Sequence, residues 1–571
     1  MIPLTGARGS IPRQPVGRRH PRVAAAAEAM MNEARGPEGS AGDAVGPEDA
    51  FGPKERRLGI LLAMAMFVLV VDTSLMNVSI SAVVRDLDTT VSGVQSAIAL
   101  EALVSAAFIL IGSRVGDFIG RRKAYVIGLI AYGIGAVAMT LAQSLTAVIM
   151  FWAIIGGLGA SLLLPAMQSL IHGNFSGTAQ KKVYALVGAA AAIAAAVGPL
   201  LGGFITTFLS WRVGFALEAV IIIIVLLGIR LVRDAVYTGP RVLDLGGAVL
   251  SVLGMGGVVL GILVWQEGGA YVGVLLAVGV AALVVLASWL VRRRRSGRPT
   301  LINPDLFASQ PFRLGITGQM MQQITLGGHM IALPIYLQMV FEYNAMLAGL
   351  SMAPLSLSMF AIALLAGRRA GRRRPSVIIT AGFALTTIGT LVLLPIIPRA
   401  QSGWYLVVPL VLVGTGLGLL VSQLNNYTLS PISEESVSEA AGVNSAAGSF
   451  GLSFGLAFAG AIMLATIALL GTALAQDSTL LSPVDQERVA TAVDQDAQVM
   501  SNTQLEEILA DEPPDVQAEV IRINAQARER ALQVALLVPI LAGVVGFLTA
   551  LRMRRLPDPE PLSSAEGMVL G

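Results

Sequence analysis

The chain has 571 residues, of which 55% are hydrophobic and only 13% are charged, and its formal net charge is +3. Soluble globular chains carry about 25% charged residues, so this composition excludes an ordinary soluble protein and favours one embedded in a bilayer. The small net charge gives no indication of a nucleic-acid partner. The absence of cysteine excludes disulfides, thiolate metal sites and cysteine nucleophiles.

The first 53 residues differ from the rest of the chain. They are rich in Pro, Gly, Ala and Arg, and they lack the apolar stretch of about 7–15 residues that a secretory signal needs. We expect residues 1–53 to be a disordered cytoplasmic tail. A start codon assigned too early is the alternative, because Met30 and Met31 lie just upstream of the apolar region.

From Leu58 onward, apolar stretches of about twenty residues recur with short interruptions. A helix of this length crosses a hydrocarbon core of ~30 Å. The pattern predicts an all-α membrane protein with fourteen transmembrane spans, at 58–82, 93–113, 124–142, 146–171, 183–207, 212–232, 243–264, 269–291, 313–338, 346–367, 376–396, 404–427, 440–471 and 531–552.

The basic residues provide a test of this number and of the orientation. If the amino terminus is cytoplasmic, the loops after even-numbered spans should be basic. These loops contain Arg121 to Lys123, Lys181 and Lys182, Arg230 and Arg233, Arg292 to Arg295, and Arg372 to Arg374. One missed span would reverse every later loop. We therefore expect a multi-pass protein of the inner or plasma membrane with both termini in the cytoplasm.

One polar insertion, residues 476–530, separates spans 13 and 14. It contains twelve acidic residues and four arginines, which suits an outward-facing segment that is partly helical or flexible. Because a segment of this size with no cysteine and no aromatic residue would make a poor core, an appended enzyme domain is not expected.

The loop between spans 2 and 3 carries the sequence Ser113-Arg-Val-Gly-Asp-Phe-Ile-Gly-Arg-Arg-Lys123. Its glycines allow a tight turn, and its charged residues are spaced to pair or to cap a neighbouring helix. The alternative is a basic loop that contains glycine by chance. The pattern closely resembles the loop signature of the major facilitator superfamily, at Gly116, Asp117, Gly120, Arg121 and Arg122. In that family the aspartate locks the cytoplasmic gate against a second-half helix, which implies a partner near Ala440.

Span 5 is interrupted near its outer end by Gly198-Pro-Leu-Leu-Gly-Gly203. Proline removes a backbone hydrogen bond and glycine permits close helix approach, so packing alone could explain the motif. With the alanine-rich run before it and Trp211-Arg212 after it, the segment looks like the antiporter signature of exporters in the same superfamily. The resemblance rests on Gly198, Pro199, Gly202 and Gly203, and it implies the direction of transport.

Two further segments resemble the fourteen-helix drug:proton antiporter branch, the EmrB/QacA type. They are Val71-Asp-Thr-Ser-Leu-Met-Asn77 in span 1 and Leu333-Pro-Ile-Tyr-Leu-Gln338 in span 9. The resemblance extends from about Leu58 to Leu556 and implies a major facilitator fold of two six-helix halves and two inserted helices. The implied divisions are a tail at 1–53, halves at 54–235 and 301–556, inserted spans at 236–300, and a cytoplasmic tail at 557–571.

The chain departs from this branch at two positions. The branch usually has an arginine in span 4, one turn before Gly157-Leu-Gly159, where this chain has Ala153. That arginine is thought to help move protons, so proton handling must differ here. Conversely, Glu101 in span 2 stands where relatives usually have an aromatic or neutral residue.

Three acidic residues lie deep inside predicted spans: Asp72, Glu101 and Glu218. An intramembrane acid is a functional hypothesis by default. At ~1.5 Å per residue all three lie ~10–14 Å below the outer surface, as does His329 in span 9. Since spans 1, 2 and 9 border the cavity in the family fold and span 6 is peripheral, we expect Asp72 and Glu101 to bind protons or a cation.

Each of these assignments has a structural alternative. Asp72 could cap a kink, and Glu101 could be a structural hydrogen-bonding group in a hydrated vestibule. Glu218 could pair with Arg212, and His329 could be either a proton relay or a satisfied polar residue. The candidates for the substrate cavity are also open to a helix-packing explanation; they are Asn77, Gln319, Gln322, Gln323, Tyr336, Gln423 and Asn425.

The sequence contains no nucleophile–base pair, phosphate loop or metal motif, so we expect a monomeric transporter with no enzyme activity, cofactor or metal. Its expected partners are a small-molecule substrate, protons and the lipid bilayer. The leading hypothesis is a multidrug-type exporter of hydrophobic or cationic molecules by proton antiport. A dedicated exporter of one endogenous metabolite, antibiotic or lipid is an alternative, as is a membrane scaffold or sensor that does not transport.

Overall fold

The computed structural model describes residues 52–557 except for 176, 235–243, 267–268, 369–372, 433, 485, 487–504, 507–508 and 511. Most of the described residues are helical. The predicted tails lie almost wholly outside this part of the chain, as does much of the predicted loop 476–530.

Fourteen long helices follow one another along the described chain. They are α1 Pro53–Val78, α2 Val91–Ile119, α3 Arg121–Thr140, α4 Leu145–Asn174, α5 Gly177–Phe208, α6 Trp211–Leu227, α7 Leu245–Gln266, α8 Val272–Arg295, α9 Gln310–Met339, α10 Ala345–Arg368, α11 Pro375–Ile396, α12 Val407–Leu429, α13 Glu434–Gln476 and α14 Pro514–Met553. A short helix, Ile80–Asp86, continues α1, and α14 is interrupted at Leu536. The predicted all-α architecture with fourteen long helices is confirmed.

Thirteen of these helices are long and apolar enough to cross a membrane. The remaining one is α9, which has 30 residues and so exceeds the ~20 that a crossing needs. Its mean hydropathy is lowered by Gln319, Gln322, Gln323 and His329. Because most of its residues from Gly327 to Met339 are buried, α9 faces mainly neighbouring helices and can carry polar side chains.

The helices pack as two groups of six with one additional pair. In the first group α1 packs against α5 and α6, and α3 and α2 pack against α4. In the second group α9 packs against α13 and α14, and α12 packs against α10 and α11. The groups meet along a seam, where α2 packs on α13 and α5 packs on α10. The helices α7 and α8 pair with each other, and α7 contacts both α2 and α13. The predicted domain boundaries themselves stay a prediction.

Two local features position the side chains discussed below. The turn between α2 and α3 is made by Gly120, whose φ of +97° is a backbone conformation that favours glycine. Within α4, Val148–Gly156 is a π-helix, a form that is rare and is frequently found at functional sites. We call the end of the bundle that carries the α2–α3 turn the basic end, and the other the opposite end.

Candidate functional site

A cluster of three acidic side chains lies among the helices of the first group. Asp72 of α1, Glu101 of α2 and Glu218 of α6 are only 1%, 9% and 3% exposed. The charge of Asp72 interacts with that of Glu101 and with that of Glu218. The three carboxyl groups that were expected to share a depth therefore lie in one neighbourhood, which we call the acid cluster.

Asp72 is held by two neutral hydrogen-bond donors. The hydroxyl of Tyr132 in α3 donates to Oδ2 of Asp72, and the indole Nε1 of Trp152 in α4 donates to both carboxylate oxygens at 2.9 Å. Both aromatic side chains are buried. A buried carboxylate normally needs hydrogen bonds or a cation. Among the described residues no cation pairs with Asp72, and the hydrogen bonds from Tyr132 and Trp152 stabilise its carboxylate instead.

The π-helical stretch of α4 carries a donor to Asp72 and contains no arginine. Ala153, at the position where the resembling branch has arginine, is fully buried, and the adjacent Trp152 carries the donor that reaches Asp72. Trp152 and Tyr132 were not predicted from the sequence. The available signal was a pair of amphipathic aromatic residues inside otherwise apolar spans, because a buried indole N–H or phenol O–H usually has a partner.

Glu218 occupies a different environment from Asp72. Neither of its carboxylate oxygens has a hydrogen-bond partner in the described part of the chain. Arg212, its suggested partner, forms an ion pair with Asp86, donates from Nε to the Ala142 carbonyl at 3.2 Å and stacks on Trp211. The pairing of Glu218 with Arg212 is therefore wrong, because Asp86 at the end of the α1 continuation lies closer to the guanidinium.

His329 and Tyr336 lie away from the acid cluster, on a side of α9 that faces the second group. The Nδ1 of His329 is 2.7 Å from the Thr325 carbonyl, and its Nε2 is 3.0 Å from Oγ1 of Thr390 in α11. The Tyr336 hydroxyl donates to the Ile397 carbonyl at 3.2 Å. Both side chains thus have partners within the second group, which agrees with the alternative of satisfied polar residues.

The predicted amide side chains fall into a second polar neighbourhood. Asn444 of α13 donates to Oδ1 of Asn425 in α12 at 2.9 Å, and Gln319 and Gln323 of α9 lie beside Gly448 of α13. Several buried amide atoms there lack a partner in the described chain, namely Oε1 of Gln322 and Gln323, Nε2 of Gln423 and Oδ1 of Asn444. Buried polar atoms of this kind are open to a ligand or water.

Asn77 does not belong to that amide neighbourhood. It lies five residues, or about 1.4 turns, beyond Asp72 along the same helix, and its Nδ2 donates to the Thr73 carbonyl at 2.8 Å. This bond is made within its own helix and leaves Oδ1 buried without a partner among the described residues.

At the basic end, the α2–α3 turn lies against the second group. Asp117 forms a buried ion pair with Arg121, and Arg114 contacts Glu439 of α13 at 3.3 Å. Glu439 also accepts from the Asn303 backbone N–H at 2.7 Å. The contact with α13 thus falls one residue from the expected Ala440, although Arg114 makes it rather than Asp117.

Two further residues of the loop motif have structural partners. The backbone N–H of Arg122 donates to Oδ1 of Asp234, beyond α6, at 3.0 Å. At Gly116, a Cβ atom would lie 3.3 Å from the Arg121 side chain, so a larger residue would crowd the cation that binds Asp117.

At the opposite end, the glycine motif of α5 lies between α1 and α10. Gly198 and Gly202 approach Ser74 and Leu75 of α1, whereas Gly203 approaches Ala345 and Met346 of α10. Close to this contact, Oγ1 of Thr207 accepts a hydrogen bond from the backbone N–H of Met346 at 3.0 Å. The motif is therefore a site of close contact between the two groups.

Two six-helix groups that meet at both ends, with a buried acid cluster beside their seam, define a secondary transporter of the bilayer. Residues 62–456 match the sequence model of the Major Facilitator Superfamily. The chain belongs to that family.

Similar proteins agree with the fourteen-helix drug:proton antiporter branch. The puromycin resistance protein pur8 of Streptomyces alboniger is 30% identical over 69% of this chain and 80% of its own length. The probable actinorhodin transporter of Streptomyces coelicolor is 26% identical over 80% of each chain, and the multidrug resistance protein Stp of Mycobacterium tuberculosis is 27% identical over 71% of this chain and 75% of its own length.

A solved structure shows the same fold. A bacterial homologue of the human lysosomal transporter Spinster, in an inward-facing and unoccupied conformation, superposes with a TM-score of 0.56 at 12% identity. The match covers 88% of this chain and 98% of that one.

Proposed function

We propose that this transporter exports hydrophobic or cationic small molecules in exchange for protons, by alternating access between its two six-helix groups. The observation that carries the proposal is the acid cluster, in which Asp72 and Glu101 are buried together beside the seam. A buried carboxylate is stable when it is paired or protonated. Asp72 and Glu101 can therefore bind a proton in one state and release it to a substrate or to water in the other.

The amide neighbourhood supports a substrate site next to these acids. Gln322, Gln323 and Asn444 present unpaired polar atoms from helices α9 and α13, the second of which packs on α2. Polar groups without a partner inside an apolar bundle fix the orientation of a ligand. The Arg114–Glu439 contact would then close the basic end, and the Asp117–Arg121 pair would hold the α2–α3 turn beside it.

The distribution of basic residues supports the orientation. The positive-inside rule assigns the basic end to the cytoplasm, with both termini on that side of the inner or plasma membrane. With this orientation, the glycine motif of α5 closes the outer end. We also propose that the protein acts as a monomer.

A dedicated exporter is the second candidate, since some relatives are named for a single compound, among them the actinorhodin transporter and the cephamycin export protein CmcT of Amycolatopsis lactamdurans. Inverted membrane vesicles separate the two. A panel of lipophilic cations, antibiotics and lipids is added to energised vesicles, and dissipation of the proton gradient is recorded. Responses to several chemical classes support the multidrug proposal, and responses to one class support the dedicated exporter.

The same vesicles test the proton site. Asp72→Asn and Glu101→Gln are expected to abolish substrate-dependent proton movement. The matched control is Asp244→Asn. Asp244 is a buried acid immediately before α7 that accepts a hydrogen bond from Trp289, and it lies outside the cluster. Normal proton movement in both cluster variants would refute the assignment, and no response of the wild type to any compound would favour a scaffold.

A further inference from the structure

Glu218 is the member of the acid cluster that the proposed function does not use. It lies in α6, outside the helices that border the seam, in the apolar sequence Phe215-Ala-Leu-Glu-Ala-Val-Ile221. Its side chain is 3% exposed and both of its oxygens lack a hydrogen-bond partner in the described chain. A residue needed only for packing would be apolar here, because a buried polar group without a hydrogen bond is destabilising.

No cation offsets the charge of Glu218. The interior portions of α1 to α6 contain no Lys or Arg, and their only acids are Asp72, Glu101 and Glu218. These portions are residues 58–84, 91–113, 124–171, 183–211 and 213–229. On its own helix, Arg212 is engaged by Asp86. Three carboxylates of one sign cannot all be ionised together in a buried volume, so the cluster must hold protons.

Glu218 lies on the face of α6 that carries a contact with a donor to Asp72. Trp152, which donates to Asp72, packs edge-on against Phe215 at 6.2 Å between ring centroids. Phe215 lies three residues before Glu218, and thus on the same face of α6.

We propose that Glu218 is a third proton-binding residue, which takes up one proton of its own and releases it in every transport cycle. In the loading step an O–H bond of a hydronium ion breaks and an O–H bond forms at the Glu218 carboxylate, which becomes neutral. In the release step that O–H bond breaks, the proton returns to water on the other side of the membrane, and Glu218 is ionised again.

This inference rests on the proposed antiport, and it adds one proton to the stoichiometry of that reaction. The test measures the ratio of protons to ethidium in liposomes that contain the purified protein, with the membrane potential clamped at zero. The logarithm of the ethidium gradient at equilibrium is plotted against the imposed pH difference, and the slope gives the number of protons per ethidium.

Glu218→Gln is expected to lower this slope by about one proton, since the glutamine mimics neutral Glu218 and cannot titrate. Glu218→Asp keeps a titratable group and should keep the wild-type slope, as should the control Asp244→Asn.

An unchanged slope in an active Glu218→Gln variant overturns the inference. Loss of all ethidium transport in both Glu218→Gln and Glu218→Asp also overturns it, because Glu218 would then serve packing alone. Both outcomes concern Glu218 alone. Failure of the proposed proton antiport through Asp72 and Glu101 would appear differently, as normal coupling in Asp72→Asn and Glu101→Gln.

Discussion

Asp117 and Arg121 form an ion pair in which both side chains are almost fully buried, at 5% and 7% exposure. Arg114 and Glu439 form a second pair at the same end of the bundle, but their side chains are 22% and 29% exposed. Breaking a buried pair leaves an uncompensated charge and costs about 3–5 kcal/mol, whereas a partly exposed pair contributes about 0–1 kcal/mol. The two pairs should therefore differ in their contribution to stability.

We expect Asp117→Asn to reduce the unfolding free energy by about 3 kcal/mol, because Arg121 would remain charged and buried. Glu439→Gln is the control, and it should change the unfolding free energy by less than about 1 kcal/mol. Denaturant unfolding of the purified protein in detergent compares the two variants. Equal losses would show that the buried pair is no more important than the exposed one.

The sequence predicts which acidic residues form the cluster better than it predicts which side chains surround them. Asp72, Glu101 and Glu218 were recognisable because a carboxyl group is rare inside a span, and helical rise gave their common depth. Tyr132 and Trp152 were not recognised as partners, because rise along the axis says nothing about which face of a helix meets which neighbour. The same limit explains His329, which has the depth of the acids but faces α11.

At the scale of helices, the approach of α5 to α10 depends on small residues. A Cβ atom at Gly349 would lie well under 3.0 Å from the Pro199 backbone oxygen, and a backbone atom cannot move aside cheaply. Overpacking typically costs about 1–3 kcal/mol. Here that cost would fall on the state in which the opposite end is closed, because α5 and α10 belong to different groups.

Gly349→Ala is therefore expected to shift the protein away from the state that is closed at the opposite end. The chain has no native cysteine, so a Thr207→Cys/Met346→Cys pair can report this closure by disulfide cross-linking. Gly349→Ala should lower the cross-linking yield several-fold. Gly256→Ala, where a Cβ atom would meet nothing within 4 Å, is the control, and an equal yield in both variants would contradict the account.

The pair α7–α8 also depends on close approach. Gly279 of α8 lies against the backbone of Gly257 and Val258 in α7, and a Cβ atom there would fall within 3.0 Å of it. We expect Gly279→Val to separate the two helices and to lower the thermal stability by several degrees. Gly273→Val, which has open space around it, should not.

Coupled transport per folded molecule should survive Gly279→Val, because neither α7 nor α8 contributes to the acid cluster. Transport by purified variants in liposomes checks this expectation. Loss of coupling with an intact fold would mean that the inserted pair takes part in the transport cycle through its contacts with α2 and α13.

The order of the spans could be predicted because each one repeats the same requirement, about twenty apolar residues between charged loops. The least apolar span is informative, since α9 was predicted at 313–338 as one of the apolar stretches and lies at Gln310–Met339 in the structure, although its polar residues lower its mean hydropathy. The contacts of Arg212 were not predictable, because Asp86 is 126 residues away in sequence and reaches it only in the folded bundle.

At the scale of the whole molecule, the two groups touch at both ends. Arg114–Glu439 joins them at the basic end, while Thr207–Met346 and Ser81–Gln338, each at 3.0 Å, join them at the opposite end. Alternating access requires one set of contacts to open while the other stays closed. The acid cluster lies within the first group, so we expect its protonation to decide which end opens by changing the charge beside α2, the helix that packs on α13.

Proton flux driven by substrate alone tests this account most directly. Liposomes containing the purified protein and a trapped pH-sensitive dye are loaded with ethidium and diluted into ethidium-free buffer at the same pH, with the potential clamped at zero. Ethidium leaving through the wild-type protein should acidify the interior, and Asp72→Asn should abolish the acidification. Ethidium release by the wild type without any change of internal pH would contradict proton antiport.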